Sequence, residues 1–249
     1  MFPERLTLYV LLLVPVTAQV AILGYLWKRQ LVRTFPVFFA YMLVVVARAL
    51  SGLYFYETNI AVYFYAYWIG EAVSLALGVA VIRELFLHIL KPYEALEQVA
   101  QTVFRWVAAA LVILAVLSVA SPAGDDNVFM ATVLPIARAV RIVQFGLLLF
   151  LFAFSAYFGF GWRHHVFGIA LGFGVFISVE ITAVSIRSEV GRIGHEVWSL
   201  ITRLSFTGAT LIWLWYMASP QPADKKAVLP PVREGVERWN QALLQFLQR

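Results

Sequence analysis

The chain has 249 residues, of which 62% are hydrophobic and only 13% are charged, with a formal net charge of +5. Soluble domains are closer to half apolar and a quarter charged, so this composition excludes an ordinary soluble protein, a disordered chain and a nucleic-acid binder with a basic surface. The absence of cysteine excludes disulfides, thiolate metal sites and a cysteine nucleophile. We expect an integral membrane protein.

Seven apolar segments are long enough to cross a bilayer as helices, which takes about 20 residues each. In chain order they are Leu6–Trp27, Pro36–Leu53, Ile60–Ile82, Trp106–Ala120, Pro135–Phe160, Val166–Ile186 and Val197–Ala218. We interpret the first as a retained span, because it is longer than the apolar core of a signal peptide. Pro135 is expected in the first turn of the fifth helix, where its missing N–H costs nothing, and Val128–Leu134 as an outer turn. The sequence thus predicts an all-α bundle of seven transmembrane helices over residues 1–218.

The distribution of Lys and Arg predicts the orientation of this bundle, since these residues mark cytoplasmic loops. Twelve fall on one side: Lys28, Arg29, Arg33, Arg83, Lys91, Arg105, Arg163, Lys225, Lys226, Arg233, Arg238 and Arg249. Three fall on the other: Arg5, Arg187 and Arg192. We therefore expect the N-terminus outside and the C-terminus in the cytoplasm of a multi-pass cell-membrane protein, such as one of a bacterial inner membrane. The connection 83–105 carries mixed charge and is expected to continue the third helix.

Residues 219–249 form the predicted cytoplasmic tail. Prolines break the last helix, and apolar residues then recur at spacings of four and three: Val232, Val236, Trp239, Leu243 and Phe246. This pattern is typical of a short amphipathic helix. We expect it to lie on the inner membrane surface or to dock on a partner protein in the cytoplasm or membrane.

Six ionisable side chains lie within the spans, where they are expensive and point to function. They are Arg48, Glu71, Arg138, Arg141, Glu180 and Arg203. Most lie a few residues below the outer ends of their spans, and Glu71 is the deepest. Four arginines against two glutamates leave two positive charges, which predicts an outward-facing charged cavity for a small anion or a lipid headgroup, held by guanidinium groups. Tyr67 and Trp68 are the aromatic residues deep enough to line it.

Other interpretations of these charges stay open. Arginines near helix ends can reach the headgroups, and the carboxylates can pair with Arg48 or Arg203, so the charges can serve structure alone in an accessory subunit of a membrane complex. A proton-coupled carrier would use Glu71 or Glu180, yet paired broken helices and a two-half repeat are missing. A membrane enzyme that acts on a lipid-linked substrate is a fourth alternative, in which the arginines would hold a phosphate, but no convincing general base or metal set accompanies them. No metal, nucleotide or hydrolase motif is present, so we expect no cofactor.

Small residues recur at every fourth position on two spans. Gly70, Ser74 and Gly78 lie on the third, and Gly168 and Gly172 on the sixth. Such stripes allow close helix packing. If these two spans packed against each other, the carboxylates of Glu71 and Glu180 would approach a common centre.

The layout over residues 1–218, with seven spans, an outside N-terminus and short loops, resembles the seven-span input modules of bacterial sensor kinases. The resemblance covers topology alone and implies a receptor. Because no kinase domain follows, a receptor would need a separate partner, reached through the tail. We expect a sensory or binding module, rank a structural subunit second, and rank a carrier third.

Overall fold

A computed structural model describes residues 2–90, 94–120, 126–157, 164–190 and 194–219. Within these ranges it contains seven helices and no strand. They are α1 (Phe2–Lys28), α2 (Pro36–Thr58), α3 (Ile60–Leu90), α4 (Glu94–Ala120), α5 (Asp126–Tyr157), α6 (His164–Val190) and α7 (Gly194–Ala218). The predicted amphipathic helix of the tail lies outside the described residues.

Each of the seven predicted spans falls on a helix of its own. Among the described residues, three helical segments are long and apolar enough to cross a membrane: Val62–Leu90, Ile136–Ala156 and His165–Thr182. Two further apolar helical segments, Leu13–Lys28 and Pro36–Gly52, are shorter. A helix satisfies its own backbone hydrogen bonds, which a bilayer requires of any spanning segment. The described part of the chain is therefore helical throughout its regular structure, and the protein is membrane-embedded.

The prediction for Pro135 is wrong. Because α5 already begins at Asp126, Pro135 lies within the helix, and Val128–Leu134 are helical. Apolar helices tolerate an internal proline when neighbouring groups satisfy the freed carbonyl, and α1 contains Pro15 in the same way. The continuation of the third helix is confirmed, since α3 extends to Leu90.

The helices form two compact units. The first unit contains α1, α2, α3 as far as Val81, α6 from Phe167, and α7. The second unit contains α3 from Ile82, α4, α5 and the first residues of α6.

In the first unit α1 packs against both α2 and α7. Arg29, which follows α1, donates hydrogen bonds from Nη1 to the Ser219 carbonyl (2.7 Å) and from Nη2 to the Ala218 carbonyl (2.6 Å). The last carbonyls of a helix lack partners within the helix, and the helix dipole favours a cation there. Arg29 therefore holds the C-terminal ends of α1 and α7 together, and these two helices run parallel.

Trp213 of α7 is the centre of the first unit's core and is fully buried. Its ring lies 5.6 Å from Phe38, 6.1 Å from Tyr41 and 5.0 Å from Phe173, between ring centroids. Its indole N–H donates to the Ile169 carbonyl at 3.1 Å, which satisfies the one polar group of the side chain. One residue thus joins α2, α6 and α7.

The glycines of α6 make room for α7. A Cβ atom at Gly172 would overlap the Trp213 indole, and one at Gly168 would overlap the Tyr216 ring. The predicted packing role of this stripe is confirmed, and its partner is α7. Because the earlier glycine meets the later aromatic residue, α6 and α7 are antiparallel.

Phe86 of α3 joins the helices of the second unit. It packs edge-to-face on Phe104 of α4 at 5.3 Å and stacks on Phe150 of α5 at 5.9 Å, with 13° between the ring planes. Leu148 and Leu151 of α5 are buried in the same unit.

We expect Gly172→Ala to lower the free energy of unfolding by about 1–3 kcal/mol, because the added methyl group has to displace the indole. Thermal unfolding in detergent micelles measures this change. Gly24→Ala is the matched control, since no heavy atom lies within 4 Å of its added methyl group. Alanine also favours a helix over glycine by about 1 kcal/mol, so the control should be as stable as the parent or more so. Equal losses from both substitutions would contradict the packing described.

Candidate functional site

A one-residue break sets the register between α2 and α3. Asn59 has an extended backbone (φ −157°, ψ 103°). Its N–H donates to the Phe55 carbonyl at 2.9 Å, and its side-chain Oδ1 accepts from the Val62 N–H at 3.2 Å. Asn59 therefore ends α2 and caps α3, which makes the two helices an antiparallel hairpin. Arg48 lies eleven residues before Asn59 and Glu71 twelve after it. The hairpin thus places both at one level, about 17 Å from the turn.

Arg48 and Glu71 form an ion pair across this hairpin, with Arg48 Nη1 donating to Glu71 Oε2. Their side chains are 26% and 14% exposed, so the pair is partly buried. The arginine crosses α3 at Gly70, where a Cβ atom would lie 3.0 Å from Arg48 Cδ. The small residue at position 70 therefore accommodates the arginine of α2, rather than a close approach of α6.

Tyr67 and Trp68 form an aromatic surface beside the pair. Tyr67 lies one helical turn before Glu71, packs edge-to-face on Trp68 at 5.4 Å, and has Tyr63 at 6.2 Å on its other side. The Tyr67 side chain interacts electrostatically with Arg48, Glu71 and Glu180. Tyr67 is 43% exposed, so one part of this surface is open.

Helix directions place Glu180 at the same level. α6 is antiparallel to α7, and α1 is parallel to α7. Since α2 follows α1 after a short connection and packs against it, α2 and α6 run parallel. Tyr41 of α2 packs on Phe173 of α6 at 5.0 Å. Arg48 and Glu180 each lie seven residues, or two turns, further along. The Oε2 atom of Glu180 is buried.

Arg203 lies at this level too, but its side chain is exposed. Phe206 of α7 packs on Phe176 of α6 at 5.1 Å, and the antiparallel direction then brings Arg203 level with Glu180. The first unit thus has two arginines and two glutamates in one layer, with a formal sum of zero.

Arg138 and Arg141 belong to the second unit. They lie three residues apart on one face of α5, where Arg138 is exposed and Arg141 is half-buried. These two residues account for the surplus positive charge counted in the sequence.

Burial divides the first unit into two halves. The buried residues fall within 18–26 of α1, 35–45 at α2, 74–81 of α3, 168–177 of α6 and 209–217 of α7; we call this part the closed half. It lies at the end that Arg29 holds. In the other part of the unit, the open half, none of the residues whose burial is described is buried. Arg48, Glu71 and Glu180 each lie three residues beyond the nearest buried residue of their helix. We call the level of Arg48, Glu71, Glu180 and Arg203 the charged layer. It is the first level of the open half beyond the closed half, and so forms its floor.

Sequence reasoning missed Glu84, which is 7% exposed in the second unit. The third span was predicted to end at Ile82, so Glu84 was placed outside it. The helix continues, and His88 one turn later donates its Nδ1–H to the Glu84 carbonyl oxygen at 2.8 Å. His165 is also buried in this unit. In the described part of the chain, no group of three or more His, Asp and Glu side chains could hold a metal ion.

No protein-family model, no curated protein and no solved structure matches this chain. Its function has to be inferred from its own residues.

We expect Arg48→Gln or Glu71→Gln alone to lower the free energy of unfolding by about 3 kcal/mol, because each leaves the other charge unpaired in an apolar layer. The double substitution should lose less than the sum, since no charge is left over. Unfolding of all four proteins in micelles gives the coupling energy. Arg33→Gln, which removes an exposed charge, is the control. Strictly additive losses would show that the two side chains do not stabilise each other.

Proposed function

We propose that this protein is a membrane-embedded binding module of the sensory type, whose charged layer holds the anionic group of a small molecule or of a lipid headgroup. The observation that supports this most is the state of Arg48. A guanidinium has five N–H donors. The Arg48 guanidinium donates from Nη1 to the Glu71 carboxylate and makes no other hydrogen bond within the described residues. Its remaining edge stands at the floor of the open half, where unpaired donors are costly.

Glu71 prepares Arg48 for this role. The ion pair fixes one nitrogen of the guanidinium, so the other donors keep a defined direction. A carboxylate or phosphate can then accept two parallel hydrogen bonds, which is the geometry that favours arginine over lysine. Tyr67 and Trp68 form the aromatic side of the site. A contribution to ligand binding stays a prediction for the other charged residues, which are Glu180, Arg203, Arg138 and Arg141.

A second candidate function is a structural subunit of a membrane complex. It is favoured by the same ion pair, because Arg48 and Glu71 already join α2 to α3. In that case the swap Arg48→Glu with Glu71→Arg should restore the stability that either single substitution removes, and no other property of the protein should change. In the binding module the swap restores stability but moves the guanidinium to α3, so the ligand is lost.

We further propose that all seven helices cross the membrane, with the N-terminus outside and the C-terminus in the cytoplasm of a bacterial cell. The excess of Lys and Arg on one side supports this orientation. The contact of Arg29 with the end of α7 is consistent with it, since α1 and α7 must then end on the same side. The tail would reach its partner on that side.

The absence of cysteine makes the orientation testable with single substitutions. In intact cells, Thr58→Cys should react with a membrane-impermeant maleimide, because the α2–α3 turn is expected outside. Thr34→Cys should react only after lysis, because the α1–α2 connection is expected in the cytoplasm. The reverse pattern would overturn the orientation.

Native mass spectrometry of the protein, extracted in its own lipids, tests for the ligand. We expect a discrete bound mass that disappears in Arg48→Gln/Glu71→Gln, because the guanidinium that holds it is gone, and that stays in Arg33→Gln. Arg138→Gln/Arg141→Gln shows whether the arginines of the second unit contribute. A parent protein without a bound mass, or one whose adducts ignore the first pair of substitutions, would instead support a structural role.

A further inference from the structure

The charge sum of the layer formed by Arg48, Glu71, Glu180 and Arg203 limits what its ligand can be. Arg48 and Arg203 balance Glu71 and Glu180, so the layer is neutral when all four are ionised. A simple anion would add an uncompensated negative charge to an apolar layer, and a simple cation an uncompensated positive one. Isolated charges are costly in such surroundings. A ligand that carries one charge of each sign keeps the layer neutral.

The two charges of such a ligand would meet different partners. The open edge of Arg48 offers N–H donors to an oxyanion, as described above. About one helical turn, or 6 Å, separates Glu71 from Tyr67, and the register of α6 places Glu180 at the level of Glu71, within electrostatic reach of Tyr67. An ammonium group in this place would face a carboxylate on α6 and the rings of Tyr67 and Trp68 on α3. Aromatic faces attract such cations, most strongly when water is excluded.

The depth of the layer indicates where the ligand comes from. It lies about 17 Å from the α2–α3 turn, whereas lipid headgroups lie at the ends of spanning helices with their acyl chains deeper. A lipid headgroup would have to leave the interface to reach Arg48. A small dissolved molecule that enters through the open half could reach Arg48 without such a displacement. The closed half, with Trp213 at its centre, blocks the opposite direction.

We propose that the site in the open half binds a small zwitterion, with its oxyanion on Arg48 and its ammonium group between Glu180 and the aromatic rings of Tyr67 and Trp68. This rests on the proposed binding function and names the chemical class of the ligand. The class includes free amino acids and glycerophosphoethanolamine, and the same chemistry is present in zwitterionic lipid headgroups.

Ligand-induced stabilisation of the full chain in micelles tests this proposal. The zwitterionic probes are leucine, phenylalanine and glycerophosphoethanolamine. The single-charge probes are acetate, dimethyl phosphate and ethanolamine. Nanodiscs of phosphatidylethanolamine, compared with nanodiscs of phosphatidylglycerol, supply the lipid form. We expect at least one zwitterion to bind about tenfold or more tightly than either matching single-charge probe.

Substitutions separate the two ends of the site. Glu180→Gln should abolish the advantage of the zwitterion over the matching anion and leave anion binding in place. Tyr67→Leu should weaken the zwitterion severalfold, whereas Tyr65→Leu, on the opposite face of α3, should not. Arg48→Gln/Glu71→Gln should remove binding of every probe. Where a variant unfolds, Glu180→Asp provides a folded comparison with the charge retained.

The outcomes are distinct. Binding of a zwitterion with this dependence on Glu180 supports the proposal, and the nanodisc comparison assigns its source to solution or to lipid. Binding of an anion alone, unaffected by Glu180→Gln, overturns the zwitterion and leaves the proposed function standing. Binding of ethanolamine alone overturns both, because it does not need Arg48. Failure of every probe and every lipid overturns both as well.

Discussion

The first unit is organised around the placement of Arg48. An arginine in the middle of an apolar helix needs partners from the protein, because apolar surroundings offer none. The hairpin at Asn59 brings Glu71 to its level, and Gly70 lets its side chain cross α3. A partner is thereby provided, but only for one edge of the guanidinium. The remaining edge is what turns a structural ion pair into a candidate site.

The two halves of the unit have different physical tasks. In the closed half, Trp213 fills the space that Gly168 and Gly172 leave open, and its N–H is satisfied by the Ile169 carbonyl. Dense packing of this kind is rigid and holds α2, α6 and α7 in fixed register. The charged layer is the first level beyond this packing. Its geometry is therefore set by a stable base.

The sequence predicts the positions of the seven helices well, because the length of an apolar run is a local property. It also identifies the charged residues within the apolar helices and the packing role of Gly168 and Gly172. It does not show which helices meet, since that depends on contacts far apart in the chain. The register of Arg48 and Glu71 was accessible in principle, because each lies about three turns from Asn59.

Two errors have a common cause. The places of Pro135 and Glu84 were both predicted from the limits of an apolar span, and those limits are not where the surrounding structure changes. Helices can continue beyond their most apolar stretch, so Glu84 lies buried within α3 and Pro135 lies inside α5. The division of the described chain into two units was not visible in the sequence, because the break falls within the continuous helices α3 and α6.

Water access to the charged layer tests the central claim most directly. Ala49 continues the inward face of α2 formed by Phe38, Met42 and Val45, whereas Ala47 lies on its outer, more exposed face. In a bilayer, Ala49→Cys should react with a small water-soluble thiol reagent that enters the open half, and Ala47→Cys should be protected by lipid. An unreactive Ala49→Cys beside a reactive Ala47→Cys would mean that no water-filled site exists at this level.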